Sequence, residues 1–407
     1  MSGPLSHIKV LDLSRVLAAP WAAQNMADLG AEVIKVERPV KGDDSRGYAP
    51  PFLRDEQGRE TRESAYFCAA NRGKRSITID LSKPEGQQLV RELATRADVL
   101  IENYKVGDLA RYGLGYEDLK VLNPGLIYCS VTGFGQTGPY KDRPGYDFMA
   151  QGMGGIMSIT GERDDLPGGG PQRVGIPLVD LTTGMYATIA VCAALAHRAV
   201  SGQGQWIDVA LLDSGVAFLG NQGMNFLATG ETPQRIGNSH PSIVPYQTFK
   251  TSDGSIILAC GNDNLFNKFC AAAGCAHLAV DPQYSMNAER VRHRVVLSKL
   301  LDDVFARRTT REWVKLLDDA GVPNGPINTI PQVFEEPQVQ ARGLRIELPH
   351  AVAGKVSLVA SPMRFSATPI KHEMPPPVLG QHSDEILRGV LNKSDAEIAA
   401  LKANGIV

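Results

Sequence analysis

The chain has 407 residues, of which 43% are apolar and 21% charged, and its formal net charge is -2. This length exceeds what one hydrophobic core usually spans, so two structural units are expected, and the small net charge argues against nucleic acid or anionic lipid as a partner. No signal-peptide pattern or membrane-length apolar run is present, which favours a cytoplasmic protein without a membrane anchor. The six cysteines include no Cys-x-x-Cys pair, so reduced thiols are expected and no metal site.

From Ile8 to Val131 the chain alternates short β-branched runs with amphipathic segments, the pattern of an α/β protein with a parallel sheet. The predicted strands are Ile8–Leu13, Glu32–Glu37, Ser76–Asp80, Asp98–Glu102 and Leu126–Val131. The predicted helices between them are Trp21–Leu29 and Pro84–Thr95. Farther along, Met185–Leu195 predicts a buried helix and Gln205–Leu212 one more strand.

The pattern changes after about residue 230. Tyr246–Lys250 and Ser255–Ala259, separated by the turn Ser252-Asp253-Gly254, predict a hairpin. Further helices are expected near residues 264–273, 288–306 and 310–320, with a last one over Ser383–Leu391. The hairpin and the three helices after it indicate a smaller α+β unit.

Two segments bear on nucleotide binding. The turn after the first strand, Ser14–Pro20, contains no glycine, so its backbone cannot approach a pyrophosphate as a dinucleotide fingerprint requires. Gly133–Gly138 spells G-x-G-x-x-G, but Pro139 follows it, so it opens a loop and not a helix. A nicotinamide enzyme is therefore disfavoured, although such a loop lets a ligand pack close to the main chain.

Basic residues flank several predicted strands. They are Arg38, Arg72, Lys74, Arg75, Lys105 and Arg111. Because open α/β sheets bind ligands beyond their strand ends and arginine suits phosphate, their recurrence indicates a phosphorylated ligand. A solvated surface charge is the alternative for any one of them.

Asp180 stands directly before the predicted buried helix. Taken alone, an aspartate in this place is a helix N-cap more often than a reactive group. A functional role for Asp180 rests on a resemblance to a known family.

Short segments spread in order over nearly the whole chain carry this resemblance. They are Val10–Asp12, Leu29–Arg38, Asn71–Ser76, Glu102–Tyr104, Gly133–Pro139, Asp180 with Gly184, Gly202–Gln205, Gly325–Pro326 and Leu379–His382. As a set they resemble the class III CoA-transferases, the family that includes formyl-CoA transferase.

The resemblance implies an interlocked homodimer with coenzyme A as co-substrate, acyl-CoA and a small carboxylate as substrates, and no permanently bound cofactor. Each subunit would have a Rossmann-like large domain, residues 1–225 and 326–407, and a small domain, residues 226–325. Asp180 would be the nucleophile, forming aspartyl anhydride and aspartyl-CoA intermediates. The residues that the resemblance places at CoA are Arg38, Lys74, Arg75, Asn103 and Arg111.

The substrate end departs from formyl-CoA transferase. Leu17 replaces a glutamine near the thioester, and Phe134, beside Gly135 in the glycine loop, replaces a tyrosine. Gly237–Tyr246 stands where that enzyme has a glycine-rich lid and resembles the succinyl-CoA:glutarate and related dicarboxylate transferases. The candidates for binding a second carboxylate are therefore His240, Ser242 and Tyr246, and main-chain amides near Gly135 or Gly154-Gly155 are candidates for an oxyanion site.

Two alternatives remain. An α-methylacyl-CoA racemase of the same superfamily needs a histidine and an aspartate to move the α-proton, but the matching residues here are Gly145-Tyr146-Asp147, and tyrosine is a poor base at neutral pH. A non-catalytic CoA-binding protein would have no need to retain Asp180.

Overall fold

The computed structural model describes residues 3–407 and shows an α/β protein. Its strands are β1 Lys9–Asp12, β2 Glu32–Glu37, β3 Phe52–Arg54, β4 Glu60–Ser64, β5 Lys74–Thr78, β6 Val99–Glu102, β7 Ile127–Thr132, β8 Trp206–Ala210, β9 Tyr246–Lys250, β10 Ser255–Ala259, β11 Asn324–Pro326, β12 Arg345–His350 and β13 Gly354–Val359.

The helices that precede β8 are α1 Ala18–Asp28, α2 Ala65–Ala69, α3 Pro84–Ala94, α4 Tyr116–Leu122, α5 Asp147–Met153, α6 Ile156–Ile159 and α7 Leu178–Ser201. Those that follow are α8 Leu211–Ala217, α9 Gly220–Thr229, α10 Asp263–Ala273, α11 Ala276–Val280, α12 Asn287–Arg292, α13 Arg294–Phe305, α14 Thr310–Asp319, α15 Ile330–Glu335, α16 Pro337–Ala341, α17 Ser383–Gly389 and α18 Asp395–Ala403.

The large sheet has the strand order β5-β2-β1-β6-β7-β8, and each neighbouring pair is parallel. Its two faces are both buried, since Leu11 and Ile34 join one apolar core while Val10 and Val33 join another. This alternation follows from the two-residue period of a strand. The predicted parallel sheet is confirmed, with β2 at its predicted bounds.

The chain divides into two compact units. The first takes in the chain up to Ile156, then Val174–Ala228 and Pro337–Val407; the second consists of Met157–Arg173 and Thr229–Glu336. The second unit contains the predicted hairpin, β9 and β10, with β11 added antiparallel, over a core that includes Phe249, Phe305 and Trp313. Relative to the boundaries expected from the sequence, residues 157–173 and 326–336 belong to the smaller unit, and residues 226–228 belong to the larger one.

Helix α7 is only partly buried, whereas Met185–Leu195 was predicted as a buried helix. Val179, Ala187 and Val191 pack in the core of the first unit, but Met185 and Ile189 are 50% and 61% exposed. The helix is long and apolar enough to cross a membrane by length and composition, and 44% of its apolar window is buried. One face of α7 is therefore buried and the other is exposed, although most residues on both faces are apolar.

Helices α1 and α7 pack closely because of a glycine. A Cβ on Gly184 would lie 2.5 Å from the main-chain oxygen of Ala18 and 3.1 Å from Trp21, which is closer than side chains tolerate. The absence of a side chain at Gly184 therefore sets the distance between these two helices.

We expect Gly184→Ala to lower the free energy of unfolding by about 1–3 kcal/mol, because the added methyl group meets backbone and not a mobile side chain. Urea unfolding followed by circular dichroism measures this. Gly389→Ala is the matched control, since a Cβ at that helical glycine meets nothing within 4 Å. Equal stability of the two variants would contradict the packing argument.

Candidate active site

A cavity of about 680 Å³ opens at the carboxyl ends of the strands in the first unit. It lies where the strand order reverses, between β1 and β6, which is the place where doubly wound sheets bind ligands. Its lining comprises Arg15–Ala18, Asp44, Gly47, Tyr48, 103–106, 131–133, 141–146, Asp180 and Leu211.

Asp180 lies in the first turn of α7 and faces this cavity. It is not the N-cap, which is Pro177, so the capping interpretation of Asp180 is wrong. Burial, and then the negative charge of Asp147, raise the pKa of Asp180 to about 7. Among the described residues no hydrogen-bond donor stabilises its carboxylate, so the group is basic for a carboxyl and open on the cavity side.

The amides at the start of α7 are capped by a residue from another helix. Asp147, in the first turn of α5, accepts hydrogen bonds from the N–H groups of Val179 at 2.8 Å and Asp180 at 3.2 Å through the same oxygen, Oδ1. Its other oxygen accepts from Gln151 Nε2 at 2.7 Å, and Gln151 Oε1 accepts from the N–H of Val174. Asp147 and Gln151 thus fix the segment that leads into Asp180.

The turn between β1 and α1 forms the opposite wall. Val16 has a φ of 72°, which is unfavourable for a β-branched residue. Its N–H donates to Asp43 Oδ1 at 3.0 Å, and the side-chain amide of Asn103 pairs with both the N–H and the carbonyl of Arg15. Asn103, predicted at the nucleotide, therefore lines the cavity while holding this turn.

Asp43 is itself held by a buried lysine. Lys35 Nζ lies 2.9 Å from Asp43 Oδ2, and neither side chain is exposed. Burial opposes ionisation of Asp43, but the ion pair outweighs burial and lowers its pKa to about 2. Lys35 also donates to the carbonyl of Ser14 at 2.8 Å.

Helix α1 begins with unsatisfied donors. Its N-cap is Leu17, whose apolar side chain cannot accept a hydrogen bond, and Pro20 has no N–H. Within the described residues, the N–H groups of Leu17, Ala18 and Ala19 have no acceptor, and Leu17 and Ala18 line the cavity with Asp180. The predicted oxyanion donors are instead occupied, since the N–H of Gly135 donates to Thr132 and that of Gly154 to Ala150.

Of the predicted CoA residues, Arg38 and Arg111 are at the surface. Arg38 pairs with Asp44 and borders a smaller hollow of about 170 Å³, together with Tyr104 and Tyr112. Arg111 pairs with Asp108 and is well exposed.

Lys74 and Arg75, also predicted at CoA, are engaged by other residues of the protein. The three protons of the Lys74 ammonium are taken by Asp12, Pro20 and Asn71, and the side chain is fully buried. Burial lowers the pKa of Lys74 to about 8. In this arrangement Lys74 joins β5 to β1 and to the first turn of α1, which carries Leu17 and Ala18 at the cavity.

Arg75 lies near the amino-terminal end of β5, whereas ligands of such sheets bind at the carboxyl ends. Its guanidinium pairs with Glu32 and with Glu385. Arg75 is not among the residues that line the cavity.

Several cavity residues were not singled out from the sequence as ligand-binding residues. Arg15, Lys141 and Arg143 line the cavity beside Lys105, which had been noted among the basic residues. Arg143 also lies over the ring of Phe134 at 5.4 Å, so Phe134 supports the loop without lining the cavity. The sequence signal for Lys141 and Arg143 is their position directly after the glycine loop Gly133–Gly138. In the structure, Gly133 contacts Gly145 and so closes the loop that carries them.

The predicted dicarboxylate residues belong to the second unit. The rings of His240 and Tyr246 are 5.3 Å apart, and the N–H of Ser242 donates to His240 Nδ1 at 3.1 Å. Burial and the neighbouring Arg294 lower the pKa of His240. The structure thus brings the three residues together into one cluster. No group of residues suited to a metal ion occurs in the described part of the chain.

Comparison with known proteins gives a consistent result. The model of CoA-transferase family III matches residues 5–383. A succinate–glutarate CoA-transferase of Agrobacterium fabrum is 50% identical over 384 residues, or 94% of this chain and 95% of the relative. A succinyl-CoA:glutarate CoA-transferase of Homo sapiens is 43% identical, over 99% of this chain and 90% of the relative. The crystal structure of a CAIB/BAIF family protein from Brucella suis has 47% identity and a TM-score of 0.84, and the match covers 96% of this chain and 100% of that one.

The raised pKa of Asp180 predicts a pH-dependent stability. In the unfolded chain the group titrates near 3.8 and in the folded protein near 7, so its contribution to stability is present below pH 3.8 and is lost as the pH rises to 7. The side chain of Asp180→Asn does not ionise, so the variant does not lose this stability as the pH rises. We therefore expect the melting temperature of the variant, relative to wild type, to be higher at pH 8 than at pH 4.5 in calorimetry; a difference that does not change with pH would contradict the assigned ionisation.

Proposed function

This chain belongs to CoA-transferase family III, and we propose that it transfers CoA from succinyl-CoA to a dicarboxylate such as glutarate. The enzyme class follows from the family match over residues 5–383. The substrates are proposed because relatives that are 43–50% identical over nearly the full chain are named for succinate or succinyl-CoA and glutarate. The observation that carries the mechanism is Asp180, a basic carboxyl group at the cavity.

Asp180 would act as nucleophile in a covalent mechanism. Its carboxylate oxygen attacks the thioester carbonyl carbon, the carbon–sulfur bond breaks, and CoA leaves as thiolate from a mixed anhydride. The thiolate then attacks Cγ of Asp180, releasing the first acid and leaving CoA on the enzyme as a thioester. The acceptor carboxylate reverses these steps and leaves as the new acyl-CoA.

The start of α1 would hold the developing oxyanion. The N–H groups of Leu17 and Ala18 have no acceptor among the described residues and line the same cavity as Asp180. The positive end of the helix dipole adds to their effect. In other acyl-transfer enzymes, one oxyanion donor contributes about 3 kcal/mol to transition-state stabilisation.

The cationic residues of the cavity would bind the phosphates of CoA. Arg15, Lys105, Lys141 and Arg143 line it, against the acidic Asp44 and Asp142. Arg38 would serve the same ligand from the adjoining hollow, where Tyr104 offers an aromatic face. Arg111 remains a proposed contact near this hollow.

The second carboxylate of the acceptor would be bound by the cluster His240, Ser242 and Tyr246. The rings of His240 and Tyr246 are in contact, and the N–H of Ser242 donates to His240 Nδ1. A hydrogen bond from such a group to a carboxylate contributes about 1.5–3 kcal/mol.

The racemase alternative has no support at the site. A racemase needs a histidine and an aspartate at the α-carbon. No histidine lines this cavity among the described residues, and Asp147, in the Gly-Tyr-Asp sequence, is engaged as the cap of α7.

We also propose that the enzyme is a homodimer in the cytoplasm. Large apolar side chains are exposed along α7 and α9, among them Met185, Ile189, Met224 and Leu227. Such an accumulation is typical of a surface that a protein covers. The free state of all six cysteines suits a reducing compartment.

Asp180→Asn should abolish CoA exchange, by at least about a thousandfold, because an amide keeps the shape but cannot form the anhydride. The control Asp213→Asn changes an exposed aspartate of α8 and should keep wild-type rates. Incubation with succinyl-CoA followed by borohydride and peptide mass spectrometry should modify the Asp180 peptide. Substantial turnover by Asp180→Asn would refute the mechanism.

The acceptor class is tested with succinyl-CoA as donor. Glutarate should be preferred over butyrate by at least about tenfold in kcat/KM, since the loss of one hydrogen-bonded carboxylate costs about 1.5–3 kcal/mol. In His240→Ala, this preference should shrink while the rate with butyrate stays the same. Equal rates for the two acids in the wild-type enzyme would exclude the dicarboxylate assignment and leave the family assignment intact.

A further inference from the structure

A buried aspartate lies beside the proposed nucleophile and is not used in the mechanism above. Asp147 Oδ1 accepts the N–H groups of both Val179 and Asp180, at 2.8 and 3.2 Å. Only 9% of Asp147 is exposed. A carboxylate shielded from solvent thus lies in contact with the main chain of Asp180.

The surroundings are built to keep Asp147 in this place. Its Oδ2 accepts from Gln151 Nε2 at 2.7 Å, one turn along α5. Gln151 is fully buried and also accepts the N–H of Val174, so it fixes the chain on the way into α7. No cation pairs with Asp147 among the described residues, so its negative charge is not cancelled locally.

We propose that Asp147 is the positioning residue of the nucleophile: it holds the main chain of Asp180 and keeps a negative charge beside its carboxyl group. This inference rests on the proposed function of Asp180. Repulsion between two carboxylates in a site of low dielectric destabilises the ionised form of Asp180. Formation of the anhydride or the aspartyl-CoA thioester removes the charge at Asp180 and with it the repulsion.

The charge of Asp147 therefore has two consequences for the reaction. The Asp180 carboxylate is more basic and attacks the thioester more readily, and the covalent intermediates are favoured relative to the free carboxylate. This agrees with burial and Asp147 together raising the pKa of Asp180 to about 7.

Other charged and titratable groups face the same cavity. They are Arg15, Asp44, Lys105, Lys141, Asp142 and Arg143, with the phenols of Tyr48 and Tyr146. The phenol of Tyr66, from α2, is also close, since burial and then Asp180 and other acids raise its pKa to about 12. Unlike these groups, Asp147 accepts a hydrogen bond from the main chain of Asp180 and also contributes to the shift of its pKa.

A residue that only caps α7 would behave differently from one that also supplies a charge. Asparagine caps a helix about as well as aspartate. Asp147→Asn thus keeps an acceptor for the two amides but removes the charge. Gln151→Ala does the reverse, because it weakens the support of the segment and leaves the charge in place.

The experiment follows the ionisation of Asp180 directly, by carbon NMR of aspartate-labelled protein without substrate, with the signal assigned by its loss in Asp180→Asn. We expect Asp147→Asn to lower the titration midpoint of Asp180 by about one pH unit or more, and Gln151→Ala to leave it near the wild-type value. The pH profile of kcat/KM should move by the same amount, and the fraction of enzyme trapped as aspartyl-CoA should fall. Asp147→Glu should restore part of both.

An unchanged midpoint in Asp147→Asn, or an equal shift in Gln151→Ala, overturns the proposal. Should Asp147→Asn not fold, Asp147→Ser provides a short acceptor without charge and gives the same comparison. A shifted midpoint with no covalent adduct in the wild-type enzyme would support the electrostatic effect of Asp147 and refute Asp180 as nucleophile. The two hypotheses therefore fail separately.

Discussion

The buried ion pair of Lys35 with Asp43 is the interaction on which the site depends. Both side chains are fully buried, so neither charge has water as an alternative partner, and the loss of either one would cost about 3–5 kcal/mol. Asp43 accepts the N–H of Val16 and Lys35 donates to the carbonyl of Ser14, so the pair holds the β1–α1 turn at two points. This is how a β-branched residue is kept at a φ of 72° at the edge of the cavity. The turn in that conformation directs the chain into α1, whose first residues line the cavity.

Helices α1 and α7 both begin at this cavity, but only the first N–H groups of α7 have hydrogen-bond acceptors among the described residues. In α7, the N–H groups of Val179 and Asp180 donate to Asp147, a residue of another helix, so the Asp180 side chain does not cap the helix. Those of α1 are left open, because Leu17 cannot cap and Pro20 has no N–H. Gly184 lets the two helices approach until a Cβ would lie 2.5 Å from Ala18. Hydrogen-bond donors and a basic carboxyl group thus share one cavity, which is the arrangement that acyl transfer requires.

Local pattern was enough to predict most of the fold but only part of the site. The alternation of apolar residues predicted β2 and the hairpin β9–β10 at their observed bounds, because a strand's period is a local property. A basic residue beside a strand, however, looks the same in sequence whether it meets a ligand or an acid. Lys74 pairs with Asp12, 62 positions away, and Arg75 with Glu385, 310 positions away, and no local rule identifies such partners. Asp180 was indicated by family resemblance, and its neighbour Asp147 acquires its role only when α5 packs against α7.

A comparison of Asp43 with Asp180 shows the effect of hydrogen-bond donors and cations on the basicity of a carboxylate. Asp43, paired with Lys35 and bonded to Ser45, has a pKa of about 2, whereas Asp180, beside a like charge and without a donor, has one of about 7. A carboxylate stabilised as Asp43 is would attack a thioester poorly and would leave a mixed anhydride too readily, so the enzyme would not hold CoA covalently. A carboxylate at least as basic as the substrate acids can exchange places with them in both directions. In the proposed mechanism, acylation of Asp180 would recover the free energy that the fold loses by ionising this group without partners, so the cost of the free carboxylate would favour the covalent intermediate.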